Sequence, residues 1–448
     1  MKQKIRIGCG AGFSGDRLEP AVILAEKGEL DYLVLECLAE RTIALAQKRK
    51  KQDSSKGYDP LLERRMECLL SILAANQVTL ITNMGAANPR AGAEKIVEMA
   101  QRAGVHVTVA AVEGDDVYEA VRRNCTSAVT NDEFRVLENG KSLNEYEVVS
   151  ANAYAGVDGI LEALTSGANI IITGRVADPS LFLAPMMHEF GWSAEEADLM
   201  AKGTVIGHLL ECAGQVTGGY FADPVKKPVP DLATLGHPFA DVFADGSAII
   251  SKIEGTGGEV TLATAKEQLL YEVVNPYAYL TPDVSADFTT VQLAEINTNQ
   301  VKVWGATGRE KPQTLKVSVG YQAGFLGEGE ISYAGANALA RAQLAGSIIE
   351  KRLKTDFPEL RVDYVGVSAI HRTDFEQNKE PYEVRLRVAA NAPTAAKAAL
   401  IGEEVEALYT NGPAGGGGAR KYVSEVVGMV SILIDRERVI PKITLFET

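Results

Sequence analysis

Short apolar runs alternating with helix-length amphipathic stretches constrain this chain more than any other feature. KIRIG, DYLVLEC, VTLITNM, VHVTVAAVEG and ANIIITGR read as buried strands. LEPAVILAEKGE, residues 38–52, PLLERRMECLLSILAAN, AGAEKIVEMAQRAG and VDGILEALTSG read as helices between them, and a further helix covers 193–214. Continuous apolar strands separated by helices imply an α/β fold, a mostly parallel sheet with helices on both faces. With 448 residues the chain exceeds one compact core. We expect an α/β domain over 1–222 that carries the site loops and a C-terminal α+β region over 223–448, with a sub-boundary near 355. GGYFADPVKKPVPDLATLGHPF has four prolines and reads as an extended segment crossing the site. The segment 247–333 is read as strand-rich, 131–154 as a hairpin around an Asn-Gly turn, and GPAGGGGAR (412–420) as a mobile linker.

Lys and Arg total 45 against 59 Asp and Glu, a net charge of −14. That balance excludes non-specific nucleic-acid and anionic-membrane binding, which need a positive footprint. The basic run KRKKQDSSK (48–56) reads as a solvated helix end. No apolar run approaches the ~20 residues that span a bilayer, and MKQKIRIGCGAGF reads as a first strand, not a leader. We expect a cytoplasmic protein with no membrane or nucleic-acid partner. The five cysteines are dispersed without C-x-x-C spacing, so reduced thiols are expected.

Three glycine-bearing polar loops each follow an apolar run: residues 5–17, 80–90 and 171–180. Open α/β sheets place ligands at the carboxyl ends of their strands. Gly10, Gly12 and Gly15 form G-x-G-x-x-G, with Glu36 at the end of the second strand, as in dinucleotide sites. Asp16 at the expected helix start would repel a phosphate, so a plain glycine turn is the favoured reading, and phosphates of coenzyme A stay open. Asn88 and Pro89 read as a helix start, whereas Asn83 and the Gly85 N–H are read as substrate contacts. Arg175 presents a planar fork for a carboxylate, and Asp178 either pairs with it or moves protons. His208 and Glu211 share a helix face; a packed histidine is favoured over a metal pair, with Glu211 kept as an acid–base candidate.

GFSGDR (12–17), LDYLVLECLAERT (30–42), ITNMGAANP (81–89), ITGRVADPSLFLAP (172–185) and GHLLECAGQVTGGYFADP (207–224) together resemble the acyclic terpene utilization family of AtuA-like proteins. NPYAYLTPDVSADFT (275–289) and GPAGGGGAR extend the resemblance over nearly the whole chain. It implies bacterial catabolism of branched acids carried as coenzyme A thioesters, and a small ferredoxin-like partner subunit. We expect a lyase or hydro-lyase (hydratase) acting on a small branched carboxylate or its thioester. Asp16, Glu36, Asp178 and Glu211 are the candidate catalytic residues; Gly12, Ser14, Arg17, Asn83, Gly85 and Arg175 are the candidate substrate contacts. No cofactor is expected to be required beyond the substrate's own coenzyme A, no metal ligand is assigned, metal dependence stays open, and a homo-oligomer is expected. A non-catalytic metabolite-binding or assembly subunit and an NAD-dependent oxidoreductase are the alternatives.

Overall fold

A computed structural model of the protein describes residues 2–126, 134–371 and 381–448. Two compact units are present, Met1–Gly320 with Met429–Thr448, and Tyr321–Gly428. The larger unit begins with β1 (Lys4–Ala11), α1 (Glu19–Lys27), β2 (Tyr32–Leu35), α2 (Glu40–Gln52), α3 (Leu62–Asn76), β3 (Thr79–Thr82), α4 (Pro89–Ala103) and β4 (Thr108–Glu113). Then follow α5 (Tyr118–Thr126), β5 (Val148–Ala153), α6 (Asp158–Thr165), β6 (Ile170–Thr173), α7 (Ser180–Phe190) and α8 (Ala197–Glu211). Next come β7 (Pro238–Phe243), β8 (Ala248–Lys252), α9 (Leu262–Leu270), β9 (Tyr279–Leu280), β10 (Ser285–Asp287), β11 (Gln292–Asn297), β12 (Gln300–Trp304) and β13 (Thr307–Arg309). The chain closes with β14 (Thr314–Ala334), α10 (Ala338–Leu353), β15 (Arg361–Val365), β16 (Glu383–Ala392), α11 (Ala395–Asn411), β17 (Gly417–Asp435) and β18 (Lys442–Glu447).

Ten strands of the larger unit form one sheet in the order β11-β12-β8-β7-β1-β2-β3-β6-β4-β18. Only β1-β2-β3-β6-β4 is parallel. The flanking pairs are antiparallel, and β7–β8 and β11–β12 have to be, since the turns that join them are too short for a parallel crossover. Gly246, with φ of +78°, supplies the left-handed residue in the first of these turns. The pleat sorts the strand side chains between two cores. Ile7, Val34, Ile81 and Ile171 pack with residues of α6, α7 and α8, while Leu33, Leu80 and Ile172 pack with residues of α1, α3 and α4. Helices therefore cover both faces of the parallel centre, as expected.

Several expectations need correction. The chain after residue 222 adds β7, β8, β11 and β12 to the same sheet, so no compact unit begins there. An antiparallel strand reads the same from sequence whichever sheet it joins. Residue 355 lies inside the smaller unit, an antiparallel arrangement of β15-β16-β14-β17 with α10 and α11 packed on it. The strand-rich segment also contains α9, whose start is fixed by a reciprocal Thr261–Thr264 capping box. The glycines of 412–420 lead directly into β17 and are not a linker. Of the expected hairpin over 131–154, residues 131–133 lie outside the described ones; beyond them Arg135 and Ser142 bridge around Gly140.

Candidate functional site

The loops after β1, β2 and β6 open into one cavity of about 930 Å³, also lined by the end of α8 and by Gly219, Tyr220, Leu235 and His237 of the crossing segment. That is ample room for a small-molecule substrate. In the first loop Asp16 Oδ2 accepts the Gly12 N–H at 2.6 Å and the Phe13 N–H at 3.3 Å. Backbone donors of such a turn are what a pyrophosphate would require, and here the loop's own carboxylate holds them. Arg65, fully buried in α3, donates from Nη2 to the carbonyls of Ser14 and Asp16 at 3.0 Å each and fixes the loop from behind.

Gly12 meets the chain at the C-terminus of α8. A Cβ there would lie 2.4 Å from the carbonyl carbon of Cys212, a backbone atom that cannot swing away. Gly12→Ala is expected to displace the Glu211–Cys212 segment and to cost about 1–3 kcal/mol of stability by overpacking. Thermal unfolding of the purified variant checks this, and an unchanged Tm would contradict the close approach.

Beyond β2, Glu36 is buried, and its Oε1 accepts the Leu38 N–H at 3.0 Å and Asn83 Nδ2 at 2.8 Å. Asn83 Oδ1 accepts the Cys37 N–H at 2.7 Å. Both ends of this fully buried amide are thus spent on the β2 loop. After β6, Arg175 is buried, and its guanidinium donates to the Leu38 carbonyl, stands 3.3 Å from Asp178 Oδ1 and lies 4.0 Å from the centre of the Tyr154 ring. Its Nε has no hydrogen-bond partner. The Tyr154 hydroxyl donates to Glu40, and Lys316 Nζ lies 3.5 Å from the same Glu40 oxygen. On α8, His208 Nδ1 is 2.9 Å from Glu211 Oε1, its ring packs against Tyr279 and Phe288, and Glu211 Oε2 has no partner.

The electrostatics follow from crowding carboxyls around few cations. Burial, reinforced by the Asp178 charge, raises Glu36 well above the usual carboxylate range, and the same two causes with Glu272 raise Glu211. Burial also raises Asp178, against the opposing pull of Arg175. Burial alone would raise Glu40 too, but Arg175, the Tyr154 hydroxyl, its own N–H and Lys316 outweigh it and bring Glu40 down to about 2. His208 is pushed down to about 4 by burial and is neutral at physiological pH. Lining the cavity together are Glu36, Glu40, Asp178 and Glu211 with two cations, Arg175 and Lys316. In such a set the protonation of each carboxyl depends on that of its neighbours. Among the described residues no group of three or more His, Cys, Asp or Glu is arranged to hold a metal ion.

Behind Arg175 stands Asp115, whose Oδ2 accepts the Arg175 N–H at 2.9 Å and Asn152 Nδ2 at 2.8 Å. Burial outweighs these hydrogen bonds and pushes its pKa from 3.8 up to about 6. A carboxyl with a raised folded-state pKa binds its proton more tightly in the folded protein, so stability falls as pH rises from about 4 to about 6 and stays lower above that. Against Asp115→Asn, the wild-type unfolding free energy should lose up to about 3 kcal/mol across this window. Denaturant titrations of both proteins at several pH values measure it, and parallel pH curves would contradict it.

The cavity therefore gathers Gly12, Asp16, Glu36, Arg175, Asp178 and Glu211 of the sequence candidates. Asn83 and Gly85 do not line it: Asn83 braces Glu36 from behind, and a Cβ on Gly85 would lie 2.5 Å from the Thr173 carbonyl oxygen. Ser14 is also outside, with its carbonyl on Arg65, and Arg17 is exposed with its guanidinium on the carbonyls of Leu232 and Ala233. Sequence reasoning missed Glu40, Tyr154, His237 and Lys316 as lining residues. Glu40 carried a usable signal, since it sits four residues beyond Glu36, at the start of α2. Tyr154 and Lys316 come from remote segments with no local mark, and His237 from the segment read as crossing the site. The family model described as acyclic terpene utilisation family protein AtuA matches residues 5–445. Neither a curated protein nor a solved structure matches the chain.

Proposed function

The chain belongs to the acyclic terpene utilisation family, and we propose that it is a lyase or hydro-lyase acting on a branched acyl-coenzyme A thioester. The observation that carries this reading is the cluster of Glu36, Asp178 and Glu211 around a single buried guanidinium, Arg175. A carboxylic acid that keeps its proton near neutrality can donate it to a departing hydroxyl, and an ionised neighbour can take a proton from carbon. Asp178, which has the Arg175 charge beside it, is the member suited to the base role. The C–H bond beside the thioester carbonyl breaks toward Asp178, the carbon–carbon double bond forms, and the β-hydroxyl leaves as water with the Glu211 proton. Arg175 and a neutral Glu36 stabilise the enolate-like charge in place of the Asn83 and Gly85 donors.

A neutral thioester suits the cavity better than a free carboxylate. Another anion would join carboxyls that already raise one another's proton affinity, and the Arg175 fork is largely engaged by Asp178 and the Leu38 carbonyl. The proposal invokes no cofactor beyond the substrate's coenzyme A. It places the reaction in the cytoplasm, where such thioesters are made and consumed, and keeps a small partner subunit. No helix among the described residues is long and apolar enough to cross a membrane.

Incubating the protein in D₂O with branched 3-hydroxyacyl- and enoyl-coenzyme A thioesters tests this reading. Deuterium should enter the α-carbon, and hydroxyl and enoyl forms should interconvert. Thermal stabilisation by a thioester without deuterium incorporation would point to the binding-subunit alternative.

A further inference from the structure

The segment NPYAYLTPD (275–283) has no part in the reaction as derived from Glu36, Arg175, Asp178 and Glu211, although Tyr279 and the three residues after it line the same cavity. Its local structure holds Tyr279 in place. Asp283 is buried and accepts Ser180 Oγ at 2.5 Å and the Val157 N–H at 3.0 Å, which ties the segment to the loop of Arg175 and Asp178. Antiparallel pairing with Ala286 of β10 sets the backbone of Tyr279. The ring centre lies 5.4 Å from that of His208 and 4.8 Å from that of Phe288. Because His208 Nδ1 is 2.9 Å from Glu211 Oε1, Tyr279 stands beside the acid of the proposed reaction.

The hydroxyl on this fixed ring has no partner. In the larger unit, buried Tyr32 and Tyr58 donate to Glu189 and Glu63 at 2.7 and 2.9 Å, and Tyr154 donates to Glu40. Tyr279 has the carboxyls of Glu211, Asp178 and Glu272 around it, yet no group among the described residues accepts its hydrogen bond. Burial, and then the charges of these three acids, raise the phenol far above its ordinary value, so it keeps its proton wherever they titrate. A fixed donor among groups that mainly accept fits an acceptor oxygen of the ligand.

We propose that Tyr279 is a further catalytic residue, whose hydroxyl donates a hydrogen bond to the β-oxygen of the bound thioester. The choice of that oxygen rests on the reaction proposed above, in which Glu211 serves the same atom. As the bond from the β-carbon to oxygen breaks, its electron pair stays on oxygen. The Glu211 proton turns that oxygen into water, and Tyr279 keeps its own proton while its hydrogen bond strengthens with the gathering charge. The same contact selects an acyl chain with a β-hydroxyl over a saturated chain of the same skeleton.

Calorimetry with two unreactive ligands tests this: an S-(3-hydroxyalkyl)- and an S-alkyl-coenzyme A of one branched skeleton. Being thioethers, they have no acidic α-hydrogen and are not converted. Wild type should bind the hydroxylated ligand about tenfold tighter, the yield of one hydrogen bond. Tyr279→Phe keeps the ring against His208 and Phe288 and should unfold at the wild-type temperature. It should lose the preference while binding the saturated ligand as wild type does, and its turnover of the 3-hydroxyacyl thioester should fall about 10²-fold. A preference kept in Tyr279→Phe, wild-type turnover in that variant, no preference in wild type, or no binding of either ligand would each overturn the proposal. A wild type that shows the preference but does not interconvert hydroxyacyl and enoyl thioesters would uphold the hydroxyl contact and overturn the reaction class instead.

Discussion

Glu211→Gln should lower the rate of water loss from a 3-hydroxyacyl thioester by about 10²–10⁴-fold, the usual contribution of a positioned general acid, while the protein remains at least as stable as wild type. Glu211 lies within the buried end of α8, its Oε2 has no partner, and burial works against its charge. An amide has nearly the same shape, keeps a donor for the neutral His208 ring and carries no ionisation penalty. Chemistry and folding therefore separate at this position. The measurement is interconversion of the hydroxyacyl and enoyl thioesters alongside thermal unfolding of the same preparation. Interconversion at the wild-type rate would remove Glu211 from the mechanism.

Arg175→Ala has the opposite profile. Read from sequence, Arg175 is a planar fork for a substrate carboxylate. Its burial, and its contacts with Asp178, Tyr154 and the Leu38 carbonyl, make it the cation that lets this group of acids exist inside the protein. Removing one partner of a buried charge set costs about 3–5 kcal/mol, and activity should be lost with it. Lysine should not rescue, because one ammonium cannot reach the carbonyl and the carboxylate while lying flat on the Tyr154 ring. The sign of the pH dependence follows. Without the guanidinium, the folded-state pKa values of Asp178, Glu36 and Glu40 rise, so the deficit relative to wild type is largest above those values and shrinks as pH falls and the acids protonate. Urea unfolding of both proteins at neutral and mildly acidic pH measures it; a deficit independent of pH would show that the loss is one of packing alone.

The parallel centre of the sheet was legible because a strand buried on both faces leaves a continuous apolar run, as in Tyr32–Leu35 and Ile170–Thr173. The loops after β1 and β6 were legible for a related reason: polar residues directly after such runs have few other places to go. The third loop read this way, after β3, does not line the cavity, and the loop after β2 does. What could not be read was direction. Asn83 follows β3 just as Arg175 follows β6, yet it turns toward Glu36 and Cys37, partners 46 and 47 residues away in sequence. Lys316 and Tyr154 reach the site through the pairing of β5 with β14, and His237 through the crossing segment, whose residues Tyr220 and Leu235 do line the cavity as its position suggested. A long-range contact of this kind leaves no trace in local periodicity.

Carbon-13 NMR of the side-chain carboxyls, with labelled glutamate and aspartate and titrated from acid to alkaline pH, addresses the proton-sharing cluster most directly. At neutral pH at least one buried carboxyl should report a neutral acid, and its signal should vanish in Glu211→Gln or in Glu36→Gln, while Glu40 stays ionised down to about pH 2. If every cavity carboxyl is already ionised at neutral pH, no proton is held there for a leaving hydroxyl, and the acid–base chemistry proposed for this site is contradicted.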